Sequence, residues 1–439
     1  MKELKPLVAV IAALAIAKAT HTGFCNARIS ASEDFMQLSV ASNFDPLLVD
    51  ALKEYPVHEL YGKLASDVVG GGRSSYMLTP ISKKKLEKHI NHVRKNGMGF
   101  NYLLNAACLD NVETTRSGQK HIRALLSWIS QIGATSCTVS NPMLLRMIKQ
   151  DFPHLKVRVS VFAGVDHLQK AKYWEEIGAD VICLDSLTVN REFKTLRSLR
   201  KNLKCELELL VNNSCLQSCS LSPAHMNLLA HSSQSKHKNG GFVIDHCILE
   251  CSKMKMQNPV NYIRSDWIRP EDLHHYEDIG YQRFKIVERN LPTEIMLKRV
   301  KAYSAKSYNG NLIDLIQPYG HSETKEQSKK KIYRTLSFLL RPFKVNPLKL
   351  MPIKELSERK GMLGNLSGPS PVYIDNQKLT GFLERFTKNS CRDINCEDCL
   401  YCHKFAELTV SIDPKYKQDC LGLHQSIDKS LTTGDLWKY

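Results

Sequence analysis

Val157-Arg-Val-Ser-Val-Phe-Ala163, Val181-Ile-Cys-Leu-Asp185 and Glu206-Leu-Glu-Leu-Leu-Val-Asn212 are short apolar runs separated by the amphipathic stretches Asp166–Ile177 and Arg191–Lys201. Brief runs rich in branched side chains read as buried strands, and helical-period stretches between them read as crossovers. Strand and helix alternating in this way predict a parallel sheet. The pattern continues in both directions. Upstream lie the strand candidates Val57–Leu64, Phe100–Ala106 and Ser136–Asn141, with helical stretches at Lys83–Lys95 and Lys120–Ile132; downstream lie Tyr262–Trp267 and Phe284–Glu288, with Pro270–Ile279 between them. Gly97, Gly133, Gly178 and Gly280 close several helices as C-terminal caps. Eight strands with their helices in about 250 residues predict an α/β fold of the closed (β/α)8, TIM-like type, with an open doubly wound sheet as the alternative. Met36-Gln-Leu-Ser-Val-Ala-Ser42 reads as a further strand at the start of the folded unit.

A barrel places its chemistry at the C-terminal ends of its strands. In this chain those ends are Lys63, Asn105, Asn141, Phe162, Asp185, Asn212, Arg264 with Asp266, and Glu288 with Arg289. Asn105, Asn212, Arg264, Asp266, Glu288 and Arg289 are the candidate catalytic residues, the two arginines being suited to hold a substrate's negative groups. Each also has a plainer reading as a cap or a loop hydrogen bond, and Arg264 and Asp266 can simply pair. Gly70-Gly71-Gly72-Arg73-Ser74-Ser75 follows the first strand of this count and reads either as an approach for an anion or as a flexible loop.

Eight of the fourteen cysteines fall into two spaced sets. Cys215-x3-Cys219 with Cys247-x3-Cys251 opens directly after the sixth strand of this count, hence on the catalytic face. Cys391-x4-Cys396-x2-Cys399-x2-Cys402 lies near the C-terminus. Four thiolates suit an iron–sulfur cluster or a structural zinc ion. The continuous Cys-x2-Cys-x2-Cys run leans toward iron–sulfur, with zinc at Cys391, Cys396, Cys399 and Cys402 as the alternative. Cys399-Leu-Tyr-Cys402-His403 is also formally a c-type haem string, which leaves Cys391 and Cys396 without a role. The first set admits metal ligation, four buried thiols or two disulfides, with His225, His231 and Asp245 as alternative ligands. The remaining cysteines, 25, 108, 137, 183, 205 and 420, show no framework spacing and suit a reducing compartment.

The chain of 439 residues carries 61 Lys and Arg against 44 Asp and Glu, a net charge of +17. That excess attracts polyanions such as RNA, DNA or anionic membrane surfaces. Leu7–Ala17 is an apolar run behind Lys2 and Lys5, too short to span a bilayer; residues 1–35 read as a signal, an organelle presequence or upstream sequence. Residues 36–320 are assigned to the barrel, 321–360 to a connector that includes Lys329-Lys330-Lys331, and 361–439 to a cysteine-rich region. The compartment expected is the cytoplasm, or an organelle matrix if the leader is cleaved. No transmembrane segment is expected. A His-Glu-x-x-His string is absent, since His58-Glu59 lacks its second histidine, as is a Gly-x-Ser-x-Gly elbow.

Glu59-Leu-Tyr-Gly-Lys63, Phe100-Asn-Tyr-Leu-Leu-Asn-Ala-Ala107, Val211-Asn-Asn-Ser-Cys215 and Asn261-Tyr-Ile-Arg-Ser-Asp-Trp-Ile-Arg-Pro270 together resemble the collagenase-like peptidase U32 family, over roughly residues 36–405. The resemblance implies a TIM-like barrel. By position it makes Cys215, Cys219, Cys247 and Cys251 the ligands of a [4Fe–4S] cluster, with a second cluster conceivable at the C-terminal set. It implies oxygen-independent hydroxylation or related redox chemistry on RNA or a small aromatic molecule, with an electron-donor protein as partner; collagenase-like proteolysis or a non-catalytic binding module stapled by metal is the alternative.

Overall fold

The computed structural model describes residues 36–289, 291–317, 344–358 and 370–438. Residues 1–35, and most of the stretch expected to be a basic connector, including Lys329-Lys330-Lys331, lie outside the described residues.

Eight parallel strands close into a barrel in chain order: β1 (Gln37–Ala41), β2 (Val57–Gly62), β3 (Gly99–Leu104), β4 (Ser136–Val139), β5 (Lys156–Val159), β6 (Val181–Cys183), β7 (Glu206–Leu210) and β8 (Arg283–Ile286). Closure is made by β1 against β8, with Leu38 paired to Phe284 and Val40 to Ile286. The barrel expectation holds and the open sheet is excluded, but two assignments change. The Met36–Ser42 segment supplies the first barrel strand, and Tyr262–Trp267 supplies none. Pro259 starts a helical turn over Val260–Ile263. Ser265 Oγ then donates to the Asn261 carbonyl at 2.7 Å, and Trp267 Nε1 to the Tyr262 carbonyl at 2.7 Å. The apolar side chains of this stretch are buried against the C-terminal region rather than in the sheet; Trp267 packs at a tilt against Phe382 with ring centroids 5.6 Å apart. The first cysteine set therefore follows the seventh strand, and the glycine run the second.

Alternation along each strand divides the barrel into an apolar outer layer and a polar interior. Leu38, Val40, Leu60, Phe100, Val157, Ile182, Leu209 and Phe284 are fully buried. Their neighbours meet across the barrel axis. Arg158 on β5 bonds Glu59 on β2, lies 3.3 Å from Ser39 Oγ on β1 and stands 3.3 Å from Glu208 on β7. Glu59 also accepts from Ser39 at 2.8 Å and from Ser136 at 3.2 Å. Burial alone would raise the Glu59 carboxyl, but the adjacent guanidinium outweighs it and holds the group down at about 2.

Beyond the barrel, β9 (Val372–Ile374) and β10 (Val410–Ile412) form an antiparallel ribbon, followed by the long helix Pro414–Thr432. Arg269 donates to the Asn376 carbonyl at 2.8 Å and Asn311 to that of Val372 at 2.9 Å, tying the ribbon to the barrel's flank. No helix among the described residues is long and apolar enough to cross a membrane.

Candidate functional site

A cavity of about 270 Å³ opens at the C-terminal mouth of the barrel. All four cysteines of the first set line it, together with Asn105, Phe162, Glu288 and Arg289 from the strand ends and Arg73 from the glycine run. The four thiols arrive on two segments. Cys215 and Cys219 sit on the loop leaving β7, and Cys247 and Cys251 occupy successive turns of the helix His246–Gln257. That helix is capped by Asp245, whose side chain accepts from the Ile248 amide at 3.0 Å.

The turn carrying Cys215 is pinned by Asp266. Its carboxylate accepts from the Cys215 amide at 2.8 Å, from Asn213 Nδ2 at 3.0 Å and from Ser186 Oγ at 2.6 Å. Lys255, 8% exposed, reaches the carbonyl and hydroxyl of Ser214 from the other side. Cys215 is exposed at the cavity, yet protein surrounds it on most sides. Burial pushes its thiol up to about 12, with Asp266 and Cys251 adding to the effect and Lys255 opposing it. Burial likewise raises Cys247 and Cys251 to about 11. Cys251 lies within electrostatic reach of Cys215 and Cys219, and Cys247 of Cys219 and Cys251. All are free thiols, which rules out the disulfide reading of this set.

The opposite wall is basic. Arg73 forks onto Glu288 at 2.7 Å, and the Glu288 carboxyl, which burial would raise, is held low by that guanidinium. Glu288 sits at φ +143°, a strained conformation for a residue with a Cβ, directly after β8. Arg289 is buried with Nη1 lacking a hydrogen-bond partner; burial and the neighbouring Arg73 lower it to about 10. Lys285 lies 4.3 Å from the Tyr61 ring centroid.

The other sequence candidates lie apart from the cavity. Asn212 is a staple between strand ends, donating to the carbonyls of Val287 at 2.8 Å and Leu315 at 3.1 Å and accepting from the Val287 amide. Arg264 points to the C-terminal region, 3.5 Å from the His403 ring, and does not pair with Asp266. Asp266 acts on Cys215 rather than on the cavity. His231 stacks on His237 at 4.4 Å, away from the thiols, whereas His225 does line the cavity and meets Asp245 at 2.9 Å. The glycine run is packed, not flexible. Gly70 N–H is taken by Asp67 at 2.7 Å and Gly71 N–H by Ser233 Oγ at 2.8 Å, so neither serves an anion. Lys255 and Lys285 were missed by sequence reasoning; a lysine inside the otherwise apolar Phe284–Glu288 run was the available signal for the second.

Residues 76–335 match the model of peptidase family U32. The chain belongs to that family. A protein of Methanocaldococcus jannaschii named an uncharacterized protease is 32% identical over 250 residues, 57% of this chain and 73% of that protein. The solved structure of the U32 peptidase Mk0906 covers 62% of this U32 chain and 99% of its own at 18% identity, with a TM-score of 0.45. An N-acetylmannosamine-6-phosphate 2-epimerase from Clostridium perfringens gives 0.32 at 13% identity, covering 64% of this chain and 99% of its own. The second cysteine set lies outside the U32-matched residues.

Proposed function

We propose that this U32 protein is an iron–sulfur enzyme that modifies an RNA base or a small aromatic molecule by oxygen-independent hydroxylation or related redox chemistry. The observation that carries the reading is the convergence of Cys215, Cys219, Cys247 and Cys251 on the wall of one cavity at the catalytic mouth of the barrel. Among the described residues no three His, Cys, Asp or Glu side chains stand close enough together to hold a metal ion, so the reading rests on four thiols facing one cavity, the ligand number that a four-iron cluster requires. Such a cluster, when bound, supplies electrons or an open iron site to a substrate beside it.

The chain's own residues account for the rest. At about 270 Å³ the cavity is at the small end of ligand sites, which favours a small substrate. Phe162, Leu187, Leu216, Met226 and Ile248 offer apolar walls, while Arg289 and Lys285 hold negative charge. An RNA substrate enters this space as a single flipped-out base, drawn by the chain's net charge of +17. Lys255 and Asp266 keep the Cys215 turn in place.

Proteolysis is the second reading, favoured by the His225–Asp245 pair beside the thiols. A nucleophilic cysteine, however, requires a lowered thiol pKa, and Cys215, Cys247 and Cys251 are all raised. Anaerobic purification separates the readings. The iron–sulfur enzyme is brown and carries about four irons and four sulfides in the cavity set, and the Cys215→Ala/Cys219→Ala variant loses them together with the modified product in extracted RNA or quinone-type metabolites. Colourless protein whose peptide cleavage survives that double substitution overturns the proposal.

A further inference from the structure

Lys285 lies in β8, Val287 and Arg289 follow it at alternate positions, and all three line the cavity. Both cations are more than nine-tenths buried, Lys285 at 7% and Arg289 at 8% exposure. Arg289 is the telling residue. No carboxylate among the described residues pairs with its guanidinium, and its buried Nη1 has no hydrogen-bond partner.

The carboxylates around this wall are all committed to other groups. Glu288 takes the fork of Arg73, at 2.7 and 3.4 Å, and accepts from Arg289 only through the backbone amide, at 3.1 Å. Asp67 pairs with Lys63 at 2.9 Å and accepts from the Tyr102 hydroxyl at 2.9 Å and from the Val69 and Gly70 amides. Deeper in the barrel, Glu59 and Glu208 lie against Arg158. On the thiol side, Asp245 meets His225 and Asp266 holds the Cys215 turn. Arg299, behind the wall, spends its donors on the carbonyls of Val287, Asp314 and Gln317. Tyr61, beside the Lys285 ammonium, gives its hydroxyl to the Ile286 carbonyl at 3.0 Å. A buried guanidinium with an idle donor on a cavity wall calls for an anion from outside the chain, since an unpaired buried charge is costly.

The chemistry of the wall selects among anions. Phosphate sites commonly draw on a nest of backbone N–H groups. The glycine run beside this cavity cannot supply one from Gly70 and Gly71, whose amides are held by Asp67 and by Ser233 Oγ. One guanidinium with an ammonium on the same wall suits a planar monoanion. Leu103, Phe162, Leu187 and Leu210 also line the cavity and offer apolar surface to the body of the ligand.

We propose that Arg289, supported by Lys285, is a carboxylate-binding group, and that the cavity takes a small organic acid with an apolar ring. This rests on the reading of the cavity as the substrate site and narrows it. An RNA base brings no carboxylate to Arg289, whereas an aromatic acid does.

The test is calorimetric titration of the anaerobically purified full-length protein with benzoate, benzamide, phenyl phosphate and cytidine at millimolar concentrations. Benzoate and benzamide share a shape and differ in charge. Benzoate binds at least about tenfold more tightly than each of the other three. Arg289→Met brings benzoate and benzamide within about twofold of one another, Arg289→Lys recovers part of the preference, and Lys285→Met weakens benzoate at least about threefold. Equal affinity of the wild type for benzoate and benzamide, or no binding of benzoate, overturns the proposal, and this comparison decides even if the Arg289 variants fail to fold. Tighter binding of phenyl phosphate or of cytidine also overturns it, in favour of a phosphate site or a flipped base. The same titration on the Cys215→Ala/Cys219→Ala variant separates this proposal from the iron–sulfur reading. A benzoate preference in iron-free protein upholds the carboxylate site whatever the thiols hold, and brown wild-type protein without the preference loses the carboxylate site alone.

Discussion

Replacing Arg158 with Met removes the cation that lies against both Glu59 and Glu208 inside the barrel and leaves both buried carboxylates without it. At the 3.3 Å separation of Arg158 Nε from Glu208, Coulomb attraction at an effective dielectric of 20 is about 5 kcal/mol. Breaking one side of a buried pair costs about 3–5 kcal/mol. A second route sets a ceiling for each of the two carboxyls. A stranded carboxyl escapes by taking a proton, and from its ordinary value of 4.5 that costs about 3.4 kcal/mol at pH 7 and about 0.7 kcal/mol at pH 5, at 1.36 kcal/mol per unit. The expected loss is therefore about 3–5 kcal/mol at pH 7, shrinking by about 2–3 kcal/mol at pH 5.

The sign distinguishes this account from simple loss of packing. In the wild type Glu59 is depressed to about 2, so its contribution is present above pH 4.5 and is lost as pH falls toward 2. In the variant the carboxyls are raised, the folded state binds more protons than the unfolded, and the deficit relative to wild type grows as pH rises above 4.5. Urea unfolding of both proteins at pH 5, 6 and 7 measures the difference directly. A loss below about 1 kcal/mol at pH 7, or one that is constant across the series, refutes the reasoning, since a cavity alone titrates nothing. Adding Glu59→Gln and Glu208→Gln to the variant restores most of the loss at pH 7.

Other perturbations probe the remaining structure. His89, which burial and His92 lower to about 4, is bonded to Ser42 at 2.7 Å; wild-type stability rises with pH between 4 and 6.5, and His89→Leu reduces that slope by about 1.4 kcal/mol per pH unit in denaturant titrations. Gly70→Ala places a Cβ 2.6 Å from Ser233 Oγ at φ +80°, and costs at least about 1–3 kcal/mol in thermal or urea unfolding. Asp266→Leu frees the Cys215 amide, so anaerobically isolated protein holds less than half the wild-type cavity iron while far-UV circular dichroism is preserved; full iron content contradicts the positioning role.

The barrel was legible because crossover helices and their glycine caps recur at regular distance. Gly97, Gly133, Gly178 and Gly280 all adopt positive φ as caps require. The reading failed at Tyr262–Trp267, where five of six residues are buried, as in a strand. Composition reports burial, not the surface against which a segment is buried. Here that surface is Phe382 and its neighbours, more than 100 residues downstream, which no local pattern reveals. Pro259 just before the run was the local sign against a strand.

The site was half legible for a related reason. A strand end fixes which residues emerge at the mouth, and Asn105, Glu288, Arg289 and the thiols after β7 are there. It does not fix where a side chain turns next. Asn212 turns into the seam between β7 and β8, and Arg264, carried on a helical turn instead of a strand, faces His403. The two cysteine sets extend the contrast. In the cavity the nearby cation is Lys255, already bonded to Ser214, and the carboxylate of Asp266 adds negative charge, so thiolates there must be stabilised chiefly by what they bind. At the C-terminal set the cations are present in advance, with Arg191 donors idle. The cavity thus disfavours bare thiolates. The outer set is the more open of the two, with Cys396 exposed, Cys391, Cys399 and Cys402 half-buried, and Arg385 donating to Cys399 at 2.8 Å.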